Sequence, residues 1–191
     1  MNRLFQIPEQ AYNELTLGPG VIASDFNPYT GVLNQADILA YAEDVSFSAE
    51  PIVSEMRSGA DNLPKNVPDL MRLDGWNAAL KGRFISVNPP LMNIMLMGSS
   101  QSSGQVSKIA PGRSGAVSSK DLWFICDYSC VFGGAEGGFF AVKLKNTFSS
   151  GGIRLGSKDS GLMGFDFCFT VGQLLTDGNA CFEVYIKNPN T

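Results

Sequence analysis

The sequence predicts a mainly β fold, an antiparallel β-sandwich or barrel with one flanking α-helix. Three observations predict it. Several segments alternate apolar and polar residues at period two, most strongly Met163, Phe165, Phe167, Phe169 and Val171, with Gly164, Asp166, Cys168 and Thr170 opposite. The 191 residues include 21 glycines and 13 phenylalanines. Charged residues make up 17%, against about 25% in an ordinary domain, a mix that suits a turn-rich β protein and a surface hidden against copies of itself. One apolar segment changes to helical spacing: Leu91, Ile94 and Met95 fall at i, i+3, i+4 after Asn88-Pro89-Pro90.

In chain order, residues 1–16 form an N-terminal arm of mixed character, with a short strand predicted over Tyr12 to Leu17. Gly18-Pro19-Gly20 then precedes a strand at Val21-Ile22-Ala23, and Asp25 to Gly31 is turn chemistry throughout. Ile38 to Tyr41 is a short apolar run, and Val45 to Ser48 alternates as a strand that Pro51 confines to an edge or ends in a loop. Residues 55–69 carry two prolines and no period, and read as a long loop. Trp76, Ala78, Leu80, Gly82 and Phe84 alternate with Asn77, Ala79, Lys81 and Arg83, one buried face and one wet face. The helix follows, with Asn88 as its N-cap and Gly98 placed to close it in a left-handed conformation. It is too apolar to stand free, so Leu91, Ile94 and Met95 should pack on a sheet.

Beyond it, Ser99 to Gly104 has the composition of a flexible linker, Val106 to Ile109 of a short strand, and Pro111 to Lys120 of a loop. Leu122 to Tyr128 is apolar on both faces, with Leu122, Phe124 and Cys126 set against Trp123 and Ile125. One helix cannot cover two faces, so subunit contacts are expected to cover the second. Gly133 to Gly138 is a turn. Strands at Phe139 to Asn146, Leu162 to Val171 and Ala180 to Lys187 complete an antiparallel set. No repeat and no boundary divides the chain, so residues 1–191 read as one domain.

The chemistry is sparse. There is no histidine, which removes the commonest general base and metal ligand. No nucleophile motif or phosphate loop appears, so no enzyme activity, catalytic residue, metal site or cofactor is predicted. The four cysteines, Cys126, Cys130, Cys168 and Cys181, lack zinc spacing and read as reduced packing residues. Asp121, Asp127 and Asp166 read as solvated carboxylates. The net charge of −4 without a basic cluster gives no nucleic-acid footprint. No apolar run reaches the roughly 18 residues of a membrane span and no cleavage signal opens the chain, so folding in a cytoplasm is expected.

Several runs in order resemble the major tail proteins, or tail tube proteins, of long-tailed, siphovirus-type bacteriophages. They are Gly18 to Ile22, Asp25 to Pro28, Val45 to Pro51, Asp61 to Asn66, Leu80 to Val87, Asp121 to Ser129, Gly138 to Val142 and Phe182 to Lys187. The resemblance covers most of the chain and rests on order and spacing, since no single run is diagnostic. It implies a tail-tube β-sandwich or barrel, similar to the type VI secretion tube protein. It also implies a structural virion subunit that joins hexameric rings, stacked into a hollow tube for DNA delivery. The implied partners are further copies of the chain, the tape measure, tail tip and tail terminator proteins, and passing DNA, without membrane insertion. The implied location is the virion tail, after assembly in the host cytoplasm. Asp61, Asn62, Leu63, Pro64, Lys65 and Asn66 would then lie in the loop that contacts the next ring. For the lumen, the acidic pair Asp166 and Glu183 is preferred over Lys143 and Lys145, because carboxylates repel phosphates and let DNA slide. Two alternatives are another virion or contractile-machine part, such as a tube or capsid decoration protein, and a carbohydrate-binding β-sandwich using Trp76 or Trp123.

Overall fold

The structure is a computed structural model that describes residues 16–55, 68–113, 115, 117–128, 138–156, 164–172 and 180–187. Ten strands and one α-helix are present among them. The strands are β1 (Thr16–Ala23), β2 (Ile38–Glu55), β3 (Met71–Phe84), β4 (Ser99–Ser103), β5 (Val106–Ala110), β6 (Lys120–Tyr128), β7 (Phe139–Ser149), β8 (Arg154–Gly156), β9 (Gly164–Val171) and β10 (Phe182–Lys187). The helix α1 spans Pro89–Met95.

The main sheet is antiparallel, in the order β10-β7-β6-β1-β2-β3-β9-β8. It also closes on itself, because Thr147, Phe148 and Ser149 of β7 pair with Val171, Thr170 and Phe169 of β9. Strands β1, β2, β3, β9, β7 and β6 therefore form a barrel, and closure removes most of its free edges. The period-two residues fill it. Ile22, Ala78, Leu80, Phe84, Leu122, Phe124, Val142, Leu144, Phe167 and Phe169 form one buried cluster. Phe84 stacks on Phe167 at 4.1 Å between ring centroids, and Phe167 lies 5.3 Å from Phe169. Gly82 makes room for this stack, since a Cβ there would stand 2.9 Å from the Phe167 ring.

Helix α1 lays Leu91 and Met95 into the same core, while Ile94 is half-buried against it. Its N-cap is Asn88, whose Oδ1 accepts the Leu91 N–H at 2.9 Å, with prolines in the first turn. Its end differs from the expectation. The left-handed residue is Met97, at φ +47°, and the Gly98 and Met97 amides donate to the Asn93 and Ile94 carbonyls. Gly98 is needed for a different reason: a Cβ there would collide with the Ala110 carbonyl oxygen of β5. Two outcomes follow. Met97→Gly should raise stability by about 0.5–1 kcal/mol, since a left-handed L-residue costs roughly 1–2 kcal/mol and glycine's extra chain entropy offsets part. Gly98→Ala should lower it by about 1–3 kcal/mol. Urea melts of both variants check this.

Four further expectations are corrected. The Ser99 to Gly104 segment is no linker: Ser99–Ser103 pairs with Val106–Ala110 as a separate hairpin, with the Ser102 and Ser107 hydroxyls 3.2 Å apart. Composition hid it, because serine-rich strands lack an apolar alternation. The runs around Ile38 and Val45 are one strand, β2, which continues to Glu55 with Pro51 on a stretch paired only to β3, the edge position expected of it. Strand β1 runs through Pro19 rather than restarting after it. Most consequentially, the outer face of β6 is covered within the chain. Trp123 and Ile125 join Ala23, Phe26, Phe139 and Ala141 in a second buried cluster, flanked by Leu33 and Tyr185. The connection between β1 and β2 supplies the cover, with Phe26 edge-on to Trp123 at 5.5 Å and to Phe139 at 5.2 Å. Asn27 holds this connection in shape, its Oδ1 accepting the Tyr29 and Thr30 amides.

Candidate assembly surface

What remains uncovered is elsewhere. Strands β2 and β3 pair from Ala42↔Phe84 to Glu55↔Met71, yet β1 pairs with β2 only up to Ala42, and β9 with β3 only from Ala79. Asp44, at φ +53°, sits in a bulge where Asp44 and Val45 oppose Gly82. Such a bulge bends the strand. Beyond the Ser48↔Ala79 pair, where β9 stops, the two strands run on from the barrel as a two-stranded ribbon. Its tip points away from the barrel end where the β1–β2 connection and α1 lie, since Ala23 pairs with Ile38 and Phe84 leads into α1. Of the long loop at this tip, residues 56–67, with the predicted contact residues Asp61, Asn62, Leu63, Pro64, Lys65 and Asn66, lie outside the described residues. So do residues 1–15 of the arm and Cys130.

One side of the ribbon is apolar. Phe47, Ala49, Pro51 and Val53 alternate onto it from β2. Trp76 lies opposite Pro51, and a one-residue register shift brings Leu73 opposite Val53, with Met71 opposite Glu55. Nearest the barrel this side is covered by β10: Phe182 contacts Phe47 at 5.3 Å and Trp76 at 5.7 Å between ring centroids. Further out the cover ends. Val53 is 49% exposed and Leu73 55%. Along β10, Val184 and Ile186 share the Phe182 face and are 44% and 60% exposed. The ribbon and β10 thus present uncovered apolar side chains on either side of Phe182, on two elements whose outer edges have no strand partner among the described residues. Exposed apolar side chains gathered on unpaired strands are candidates for an interaction surface.

The two carboxylates predicted to share a lumen face are not brought together. Asp166 is exposed on β9, in register with Arg83 on one side and Arg154 on the other. Glu183 stands on β10, beside the supposed rival set. Its Oε1 accepts the Lys145 Nζ at 2.6 Å and its Oε2 the Tyr185 hydroxyl at 2.6 Å. Lys143 lies over the Trp123 ring at 5.4 Å and 3.9 Å from Asp121. Glu183 therefore shares one face with both lysines and offsets their charge, lying directly opposite Lys143 across the ladder and bonded to Lys145, whereas Asp166 lies apart between two arginines. Asp121 also has a structural task, its Oδ1 accepting the amide of Asn146, a left-handed residue at φ +51° in a β7 bulge.

The Lys145 hydrogen bond, then that from Tyr185, holds the Glu183 carboxyl below its ordinary range. The Glu183 bond in turn pushes the Tyr185 phenol up to about 12. A lowered carboxylate stabilises the fold above its ordinary value of 4.5, and this is lost as pH falls through the lowered folded value. The raised phenol acts oppositely: its contribution is full below its ordinary 10 and is lost as pH rises through about 12. Glu183→Gln should therefore cost stability at neutral pH, by less than about 1 kcal/mol for so exposed a pair. It should also flatten the acid limb of the stability–pH curve, measured by thermal melts from neutral to acid pH.

Among the described residues, no group of three or more His, Cys, Asp or Glu is placed to hold a metal, and no helix is long and apolar enough to cross a membrane. Cys181 is buried and Cys168 half-buried with its Sγ 3.2 Å from the Ser150 hydroxyl. Cys126 is buried with its thiol 3.6 Å from the Phe140 carbonyl. Trp123 is buried, and Trp76 is half-buried with Phe182 edge-on at 5.7 Å. No protein-family model matches the chain, and no curated protein matches it.

Proposed function

We propose that this chain is a structural subunit of a bacteriophage tail tube, which self-assembles into stacked rings that form a conduit for DNA. The observation that carries the reading is the ribbon: it leaves the barrel with Val53, Leu73 and Met71 uncovered on one side, beside Val184 and Ile186 of β10. These side chains are already about half buried, so covering the rest is worth about 1 kcal/mol each, which drives association once several are shared. The uncovered ribbon supplies surface for association, and the resemblance supplies its geometry, a heterologous contact that closes into a ring or propagates as a filament. The ordered resemblance of eight sequence runs to tail tube proteins supplies the rest: the ring, the tape measure, tail tip and terminator partners, and the virion location. Sedimentation velocity over a concentration series tests the reading. Species that grow to rings and longer polymers support it, and a single monomer peak at every concentration refutes it.

A further inference from the structure

The barrel is closed lightly at one place. Strand β9 holds β3 through six residue pairs, from Ala79↔Thr170 to Phe84↔Phe165, but it holds β7 through three, Thr147↔Val171, Phe148↔Thr170 and Ser149↔Phe169. On its other edge this end of β7 meets β6 at Lys120↔Thr147, with no further pair toward Ser149 among the described residues. The segment from Thr147 to Ser149 stands between two left-handed residues, Asn146 at φ +51° and Gly152 at φ +64°. The two sides of the seam differ. Thr147 and Ser149 are 0% and 4% exposed, and they lie opposite Val171 and Phe169, both members of the barrel core. Their hydroxyls therefore face apolar surroundings, and neither Thr147 Oγ1 nor Ser149 Oγ has a hydrogen-bond partner among the described residues. A hydroxyl so placed gives up its bonds to water and gains none in exchange. The outer side is clasped instead. The Ser150 hydroxyl lies 2.7 Å from that of Thr170 and 3.2 Å from Cys168 Sγ, and the Ser150 and Gly151 amides donate to the Cys168 carbonyl.

We infer that residues 147–149 are a gate: the barrel opens at the β7–β9 seam while the rest of both strands stays paired, and Ser150 is the latch. Opening breaks three residue pairs and hydrates two hydroxyls that the closed state leaves unbonded. The change of φ and ψ falls on Asn146 and Gly152, the left-handed residues on either side, which act as hinges. Both strands keep their other neighbours, β9 its six pairs with β3 and β7 its ladders with β6 and β10, so the opening is local rather than global. It converts a closed barrel into an open sheet with two fresh strand edges, at Thr147 to Ser149 and at Phe169 to Val171. The gate belongs to the single subunit and stands whether or not copies assemble.

Amide hydrogen exchange of the dilute, full chain tests it, with the seam amides of residues 147–149 and 169–171 compared with the β3–β9 amides of residues 79–84. In the wild type the seam should be at least about tenfold less protected than the β3–β9 ladder. Thr147→Val with Ser149→Ala removes both hydroxyls and keeps the side-chain shape at 147. It should slow seam exchange about tenfold, because the closed state no longer holds unbonded polar groups. Ser150→Ala, at an exposed position, should quicken seam exchange about fivefold by removing the latch. Equal protection of the seam and the β3–β9 ladder in the wild type would overturn the gate. So would seam exchange that is unchanged or quicker in the Thr147→Val, Ser149→Ala variant, or failure of that variant to fold, since either would mean that the two hydroxyls are bonded when the barrel is closed. Unchanged exchange in Ser150→Ala would remove the latch.

Discussion

Phe167→Ala should lower the unfolding free energy by about 3–5 kcal/mol. Phe167 is 4% exposed, stacks on Phe84 with ring planes 15° apart and leans on Phe169. Truncation removes both ring contacts at once. The neighbouring strands cannot collapse into the gap, because Phe167 lies opposite Gly82, which has no side chain to fill it. The site also lies beside the β7–β9 ladder that closes the barrel, whose three residue pairs are few to hold a seam. A urea titration followed by tryptophan fluorescence measures the loss. A cost under about 1 kcal/mol would mean that the β9 face has been assigned wrongly.

The second large effect concerns assembly rather than folding. Val53→Asp with Leu73→Asp should abolish polymer formation and leave the melting temperature of the subunit almost unchanged. The two residues lie opposite each other on the ribbon, both about half exposed, so the free subunit loses little when they become polar. In a polymer they would be buried, and two unpaired carboxylates placed there would cost several kcal/mol. Ser46 and Ser48, exposed on the other side of β2, provide the control: aspartates there should permit assembly. Light scattering at matched concentration separates the two variants. Equal scattering from both would show that the apolar side is not buried between copies.

Much of the fold was legible because burial writes itself at period two. The alternation from Phe165 to Val171 and from Ala78 to Phe84 is the barrel interior, and the change of period at Asn88-Pro89-Pro90 is the helix, N-cap included. What was not legible depended on partners distant in sequence. Trp123 and Ile125 looked like a surface awaiting another subunit, and only the position of Phe26, some hundred residues earlier, shows that the chain covers it itself. Glycine's ease in the left-handed conformation pointed to Gly98, whereas backbone crowding by Ala110 requires that glycine and Met97 takes the positive φ. The serine strand β4 has no hydrophobic signal at all, and its partner β5 creates it. The apolar face expected to need a second subunit on β6 is covered within the chain, and the exposed apolar side chains lie on other strands. Their exposure, at Val53, Leu73, Val184 and Ile186, depends on where β1 and β9 stop pairing, which no local pattern records.

On the proposed reading, other copies of this chain complete the apolar side of the β2–β3 ribbon. Negative-stain electron microscopy of the concentrated protein tests it most directly. The account predicts hollow rings or stacked tubes for the wild type, and dispersed single particles for Val53→Asp, Leu73→Asp. A uniform field of single subunits from the wild type at high concentration would contradict it.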